Sequence, residues 1–343
     1  MTAETRSATA PSADTSHTTS PGERESLAKA IVQLNPASAR AKRVVALVTI
    51  GIPALGFAFG VYLIVAGRAS VLDYVLFAVF YAVQMFGITI GFHRYVAHKS
   101  FKTSRFFEGV LMISGSMALE GPLLFWVSTH RRHHRYADEQ GDPHSPNLSG
   151  GSVVGKLKGL WYAHSPWMFS DQESKAMVFA PDVLRDRRLY NYNRTYPVWG
   201  LAGLLVPGAI GWAAGGSGAA ALSGFIFGGL ARVFVANQAA WCVGSVSHML
   251  GSRPFANRDD SANNWPVAFV TFGEGLQNNH HAFPGAYRHG MRWWEPDLSG
   301  WVIAMLAKLH IVWDLHMPSR AAIDHRLRRN RAIAHAVSAP GER

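Results

Sequence analysis

Four apolar runs, each long enough to cross the hydrocarbon core of a bilayer, commit this chain to a multi-pass helical membrane protein. Val44 to Ala66, Tyr74 to Phe92 and Thr195 to Ala214 contain no charged residue. Ala219 to Ser247 contains one, Arg232, and a charge at mid-span is costly unless it faces protein or water. Arg232 is therefore expected in a polar interior or near the interface. A fifth apolar stretch, Phe106 to Val127, is broken by Glu120, Gly121 and Pro122 and reads as an interfacial or partly embedded helix. Composition agrees, with 48% of the 343 residues hydrophobic and 16% charged, against roughly 25% charged in soluble domains.

Charge sets the expected orientation. Arg40, Lys42 and Arg43 precede the first run, and residues 93–194 and those after about 250 are rich in Lys and Arg. The connections at Gly67 to Asp73 and Gly215 to Gly218 are short. The positive-inside rule then puts both termini and the central hydrophilic region in the cytoplasm. The net charge of +11 is scattered between apolar runs and forms no compact patch, which argues against nucleic-acid binding. Residues 1–28, rich in Ser, Thr, Ala, Pro and Glu, read as a disordered tail without the apolar stretch of a signal peptide, and 319–343 as a basic tail, helical or frayed. The domain between them spans 29–318.

Three histidine-rich clusters stand at the cytoplasmic ends of these runs: His93-Arg-Tyr-Val-Ala-His98, His130-Arg-Arg-His133-His134 and Gln277-Asn-Asn-His280-His281. Offsets of three and four place His130, His133 and His134 on one helical face, and Gln277, His280 and His281 likewise. His93 and His98, five apart, converge only if the helix ends between them. His248 closes the fourth run much as His93 closes the second. Eight histidines and one glutamine are too many for one ion and suit two. The single cysteine, Cys242, excludes thiolate sites. Catalytic zinc with three ligands would leave most of these histidines unexplained. An isolated HxxHH is usually a surface feature; three such clusters on one membrane face point to metal. The other histidines (His17, His164, His289, His310, His316, His325, His335) are expected to be solvated or interfacial. Trp161, Trp167, Trp265, Trp293 and Trp294 read as interface anchors, whereas Trp126 and Trp241 are candidates for lining a substrate channel.

The boxes HxxxxH, HxxHH and QxxHH, with Gly87-Ile-Thr-Ile-Gly-Phe92 before the first, Asp142-Pro143-His144 after the second and Gly273-Glu274-Gly275 before the third, resemble the integral-membrane fatty acyl desaturases of the Δ9 acyl-CoA (stearoyl-CoA) type. The resemblance covers roughly residues 40 to 315. It implies an all-α membrane protein whose four transmembrane helices, at about 44–66, 74–92, 195–214 and 219–247, carry a cytoplasmic helical cap with a di-iron site. One iron would take His93, His98, His130, His134 and His280, and the other His133, His248, Gln277 and His281. Asp142, His144, Arg232 and Asn278 would stand behind the ligands, and Trp126, Trp241, Phe77 and Tyr81 would line or close the acyl tunnel. The implied reaction is O2-dependent insertion of a cis double bond into a saturated long-chain acyl group, most simply a CoA thioester, with two electrons from a separate ferredoxin or cytochrome b5-like donor. No separate acid or base is implied. Three departures matter: Gln277 replaces a histidine, Gly244 an asparagine that holds a metal-bound water, and Ser128 and Thr129 an Arg-Asp pair that helps bind the CoA head group. An acyl or alkane hydroxylase of the same superfamily is the alternative, and a histidine-rich metal transporter a distant one, since transporters place their ligands near the bilayer midplane. Composition leans towards a bacterial inner membrane.

Overall fold

The computed structural model describes residues 27–338; the expected tail before residue 27 lies outside them. Among the described residues four helices are long and apolar enough to cross a membrane: α1 (Pro36–Val65), α2 (Val71–Ala97), α6 (Arg187–Gly215) and α7 (Gly218–His248). All four outrun the apolar stretches because capping residues extend them. Asn35 accepts from the Ser38 amide ahead of Pro36, Ser70 and Asp73 form a reciprocal capping box on α2, and Asp186 caps α6. In their most apolar windows α1 and α6 are 22% and 28% buried, whereas α2 and α7 are 50% and 56% buried. The first pair therefore offers Val44, Leu55, Val65, Val198 and Leu201 to lipid, and the second forms the interior.

Arg232 takes the interior option. Its guanidinium is fully buried and donates to Gln84 Oε1 (2.5 Å), Met117 O (2.8 Å) and Gly203 O (2.6 Å), with Nε on Gly228 O (2.8 Å). Gln84 passes its amide to Asn237 Oδ1 at 2.7 Å. No box residue is among these partners, so Arg232 ties α2, α6 and α7 together and does not stand behind the boxed histidines. Arg232→Met takes a donor from four oxygens at once and is expected to cost about 2–4 kcal/mol, read as a lower unfolding temperature in detergent. An unchanged temperature would exclude this role.

The cap is built mainly from α3 (Arg105–Ser116), α4 (Leu123–Tyr136), α5 (Val153–His164), α8 (Gln277–Ala282) and α9 (Leu298–Lys308). The stretch expected as one interfacial helix is two, α3 and α4. Left-handed backbone at Leu119 (φ 57°) and Gly121 (φ 104°), followed by Pro122, breaks it. Two small antiparallel pairs, Ile31–Gln33 with Gln172–Ser174 and Lys102–Thr103 with Val312–Trp313, add strands to a fold expected to be wholly helical. The C-terminal helix α10 (Arg320–Ser338) is not free of the domain: Arg326 donates to Ala282 O and lies over the Phe283 ring at 4.8 Å.

The helix α2 runs on past His93 and ends between the two histidines, at Ala97, with His98 as its C-cap. From Gly87 to Ala97 it is a π-helix, and the His98 amide donates to His93 O at 3.1 Å. Bonding five residues back puts residues five apart on one face, so the HxxxxH spacing suits a π-turn as HxxHH suits an α-turn.

Candidate metal centre

Five histidines from three elements meet in one place. His93 and His98 from α2, His130 and His134 from α4 and His280 from α8 offer ligand nitrogens within 4.8 Å of one another. His133, His248 and His281 form a second such group. All eight boxed or span-end histidines are thus brought together. Gln277 is buried beside them, its Nε2 donating to Glu274 O at 2.9 Å, which leaves the amide oxygen for another partner.

The nitrogens in the first group face one another: His98 Nε2 to His130 Nε2 at 2.7 Å, His93 Nε2 to His280 Nε2 at 3.1 Å, and His280 Nε2 to His134 Nε2 at 2.8 Å. A proton on His280 Nε2 could be directed at only one of its two neighbours, and the lone pair of the other would then be left without a donor. A cation at the centre removes the conflict, because nitrogens about 2.1 Å from a shared ion lie roughly 3 Å apart at right angles. In the second group His248 Nε2 and His281 Nε2 are buried with no protein partner. The residues present therefore fit a pair of metal ions.

Behind the rings stand carboxylates that the boxes themselves do not contain. His93 Nδ1 meets Glu274, whose other oxygen takes Arg94 at 2.5 Å. His133 Nδ1 meets Asp142 at 2.9 Å, His248 Nδ1 meets Asp138 at 2.8 Å and His281 Nδ1 meets Asp259 at 2.9 Å. Each contact directs the opposite nitrogen, Nε2, inward. Asp142 follows the second box closely in sequence, in Asp142-Pro143-His144, whereas Asp138 and Asp259 come from loops whose sequence gave no such signal. Asn278 acts one layer further out, gripping Phe255 and Ser261 at either end of the loop that carries Asp259. The second group is backed by three carboxylates and the first by one, already paired with Arg94.

Burial, reinforced by neighbouring imidazoles, lowers the pKa of His98, His130, His134 and His280, so these rings are neutral donors. Burial alone would raise Asp142, but the charge and hydrogen bond of His133 hold it down at about 2. His281 accounts in the same way for an Asp259 below the usual carboxylate range.

One expectation about the histidines fails. His289 is not solvated: it is fully buried, with its ring 4.4 Å from that of His280. His164 is half-buried, bonded to Ser245 Oγ at 3.1 Å and Gln238 Oε1 at 3.0 Å. His310, His316 and His325 are exposed as expected, whereas His17 and the side chain of His335 lie outside what is described.

An apolar cavity of about 660 Å³ opens onto the centre past His93, His130 and His133. Trp126 and Trp241 line it, and Trp126 stacks on His130 at 5.1 Å. Phe77 and Tyr81 do not. Tyr81 turns its hydroxyl to Val270 O at 2.7 Å, and Met85 and Ile88 of α2 line the wall instead. Trp167, expected as an interface anchor, also lines the cavity, stacked against Phe125 and tilted on His144. His144 is a wall residue too, its ring 4.5 Å from His133; a Cβ on Gly244 would lie 3.0 Å from its Nδ1. The glycine at 244 thus makes room for an imidazole. A second, polar cavity of about 510 Å³ reaches the other side of the centre, at His98, His134 and His281.

A four-span membrane protein with a buried, histidine-lined metal centre at the end of an apolar cavity is the class that these features define. The sequence model of the family described as "Fatty acid desaturase" matches residues 69–314. A hex-5-enoyl-[acyl-carrier protein] acetylenase of Moorena producens is 43% identical over 71% of this chain and 77% of its own length. An acyl-CoA C20 Delta5-desaturase of Anemone leveillei is 36% identical over 72% and 74%, and an sn-1 stearoyl-lipid 9-desaturase of a Synechocystis strain is 33% identical over 69% of each chain. The chain belongs to the fatty acid desaturase family, and it is an oxidoreductase acting on fatty acyl chains.

Proposed function

We propose that this protein inserts a cis double bond, at Δ9, into a saturated long-chain fatty acyl group, using O2 and two electrons from a separate donor protein. The observation that carries this reading is the apolar cavity ending on the rings of His93, His130 and His133. One ion would be held by His93, His98, His130, His134 and His280, the other by His133, His248, His281 and the amide oxygen of Gln277. A redox-active metal pair supplies what no side chain can, the oxidising power to take hydrogen from an unactivated methylene. The protein's own residues do the rest. The cavity walls exclude water, Trp126 flanks the chain beside the His130 ring while Trp241 lines the same cavity, and the carboxylate-braced imidazoles fix the site that the chain must reach.

The split of the histidines between two cavities supports a separate donor. The acyl cavity touches His93, His130 and His133, while the polar one touches His98, His134 and His281 and is lined by Arg131, Arg258 and Arg326. Substrate thus has one approach and reductant the other, and the basic lining suits an acidic ferredoxin or cytochrome. A CoA thioester is the proposed carrier, although the three relatives are named for an acyl-carrier protein, CoA and a lipid. The proposed setting is a bacterial cytoplasmic membrane, with the cap and both termini in the cytoplasm.

The test is the fatty-acid profile of a desaturase-deficient host expressing this chain together with a ferredoxin and its reductase, with double bonds located by mass spectrometry. A new Δ9 monounsaturated acid is the expected result. A double bond elsewhere overturns the position alone, and a hydroxylated chain overturns desaturation.

A further inference from the structure

A metal-bound imidazole coordinates through one ring nitrogen and carries a proton on the other, and that N–H needs an acceptor once it is out of water. His93, His133, His248 and His281 each turn Nδ1 to a carboxylate. His98, His130 and His134 are half-buried and line cavities where water can serve. His280 is different. It is fully buried and, alone among the eight, its outer nitrogen, Nδ1, is enclosed with no partner.

His289 stands beside it. This ring is fully buried and tilted 35° on the His280 ring at 4.4 Å; among the described residues neither of its nitrogens has a well-aligned hydrogen-bond partner, its one backbone contact being a loose one to Gly273. Its Nδ1 lies 4.0 Å from Glu274 Oε2, the carboxylate that braces His93. The backbone holds it there firmly. Asn279, next to His280 in the chain, donates to His289 O at 2.9 Å, and Asp297 accepts from the His289 and Gly290 amides. Asp297 is itself fully buried and anchored on Arg94 at 3.0 Å. Buried ring nitrogens so poorly partnered in one enclosed spot are unfavourable. A turn of the His289 ring, or one buried water, joins His280 Nδ1 to one nitrogen of His289.

We propose that His289 accepts the Nδ1 proton of His280, a positioning residue that fixes the tautomer and plane of this ligand as the carboxylates fix the others. The inference rests on the ligand assignment proposed above. It explains why an imidazole and not a carboxylate stands here: Glu274 already occupies the neighbouring space, and a second anion 4 Å away would repel it.

The experiment is metal binding by the full chain purified in detergent, with cobalt(II) as the probe, read as affinity and as the visible ligand-field spectrum. His289→Phe keeps the stacked ring and its volume but accepts no proton; His289→Gln restores an acceptor without the ring. His289→Phe is expected to lose about 10–100-fold in affinity and to change the spectrum, and His289→Gln to recover most of both. Wild-type affinity and spectrum in His289→Phe would overturn the proposal, and so would equal losses in both variants, which mark a packing role. Should His289→Phe not give monodisperse protein, His289→Leu serves as the acceptor-free variant with the same expectations. Failure of the wild-type chain to bind cobalt overturns the metal centre itself, a result distinct from any difference between variants.

Discussion

His281→Ala is expected to lose one metal ion per chain and all double-bond formation, with product at background. The Nε2 of His281 is one of three inward nitrogens in the smaller group, so its removal leaves two imidazoles and the Gln277 amide. It also strands Asp259, whose charge is held in a partly buried loop by this ring. Asp259→Asn separates the two effects. It keeps the ring and nearly the same volume but weakens the hold on Nδ1, and should cost about 10–100-fold in metal affinity while leaving some product. His325→Ala, at an exposed position, should change neither quantity. Metal content and product yield from the same membranes decide the matter. Two metals and full product in His281→Ala would remove this residue from the centre.

The membrane spans and the three clusters could be read directly because both signals are local. Uncharged length marks a span, and offsets of three and four mark a helical face, so His130, His133 and His134 needed no tertiary information. At His93 and His98 the expected helix end does fall between the two, at Ala97, but the spacing alone did not say how the rings meet. A spacing of five has no place on an α-helix, and nothing in Gly-Ile-Thr-Ile-Gly-Phe announces a π-helix, whose extra residue per turn brings the two rings together. What stayed hidden otherwise came from loops. Asp138, Asp259 and His289 reach the centre through irregular backbone held by side chains such as Asn278, Asn279 and Asp297, and such contacts leave no periodic trace. Phe77 and Tyr81 illustrate the opposite error. Resemblance placed them at the tunnel's end, but the cavity wall on α2 is formed one to two turns nearer the first box, by Met85 and Ile88.

Gly87→Val is expected to destabilise the protein by about 3 kcal/mol or more and to remove activity without touching a ligand. Gly87 opens the π-helix and lies against α3 so closely that a Cβ would overlap the Gly115 nitrogen and the Ser114 carbonyl carbon. Those are backbone atoms, which cannot swing aside as a side-chain tip can. The same crossing leaves a Cβ on Gly91 only 3.0 Å from Leu111 O, and one on Gly115 would press on the Phe92 ring. Glycines on both helices therefore set how near α2 approaches α3, and through that approach the height and rotation of His93 and His98. Forcing the helices apart moves both rings relative to α4 and α8, and a displacement near 1 Å at a reacting centre can cost about 100-fold in rate. Gly51→Val is the control, because a Cβ there meets nothing within 4 Å. The unfolding temperature in detergent, metal content and product yield should all fall in Gly87→Val and hold in Gly51→Val. A Gly87→Val protein that melts and turns over like the wild type would show that α2 and α3 can part without disturbing the first box, and the π-helix would then owe its register to its own hydrogen bonds.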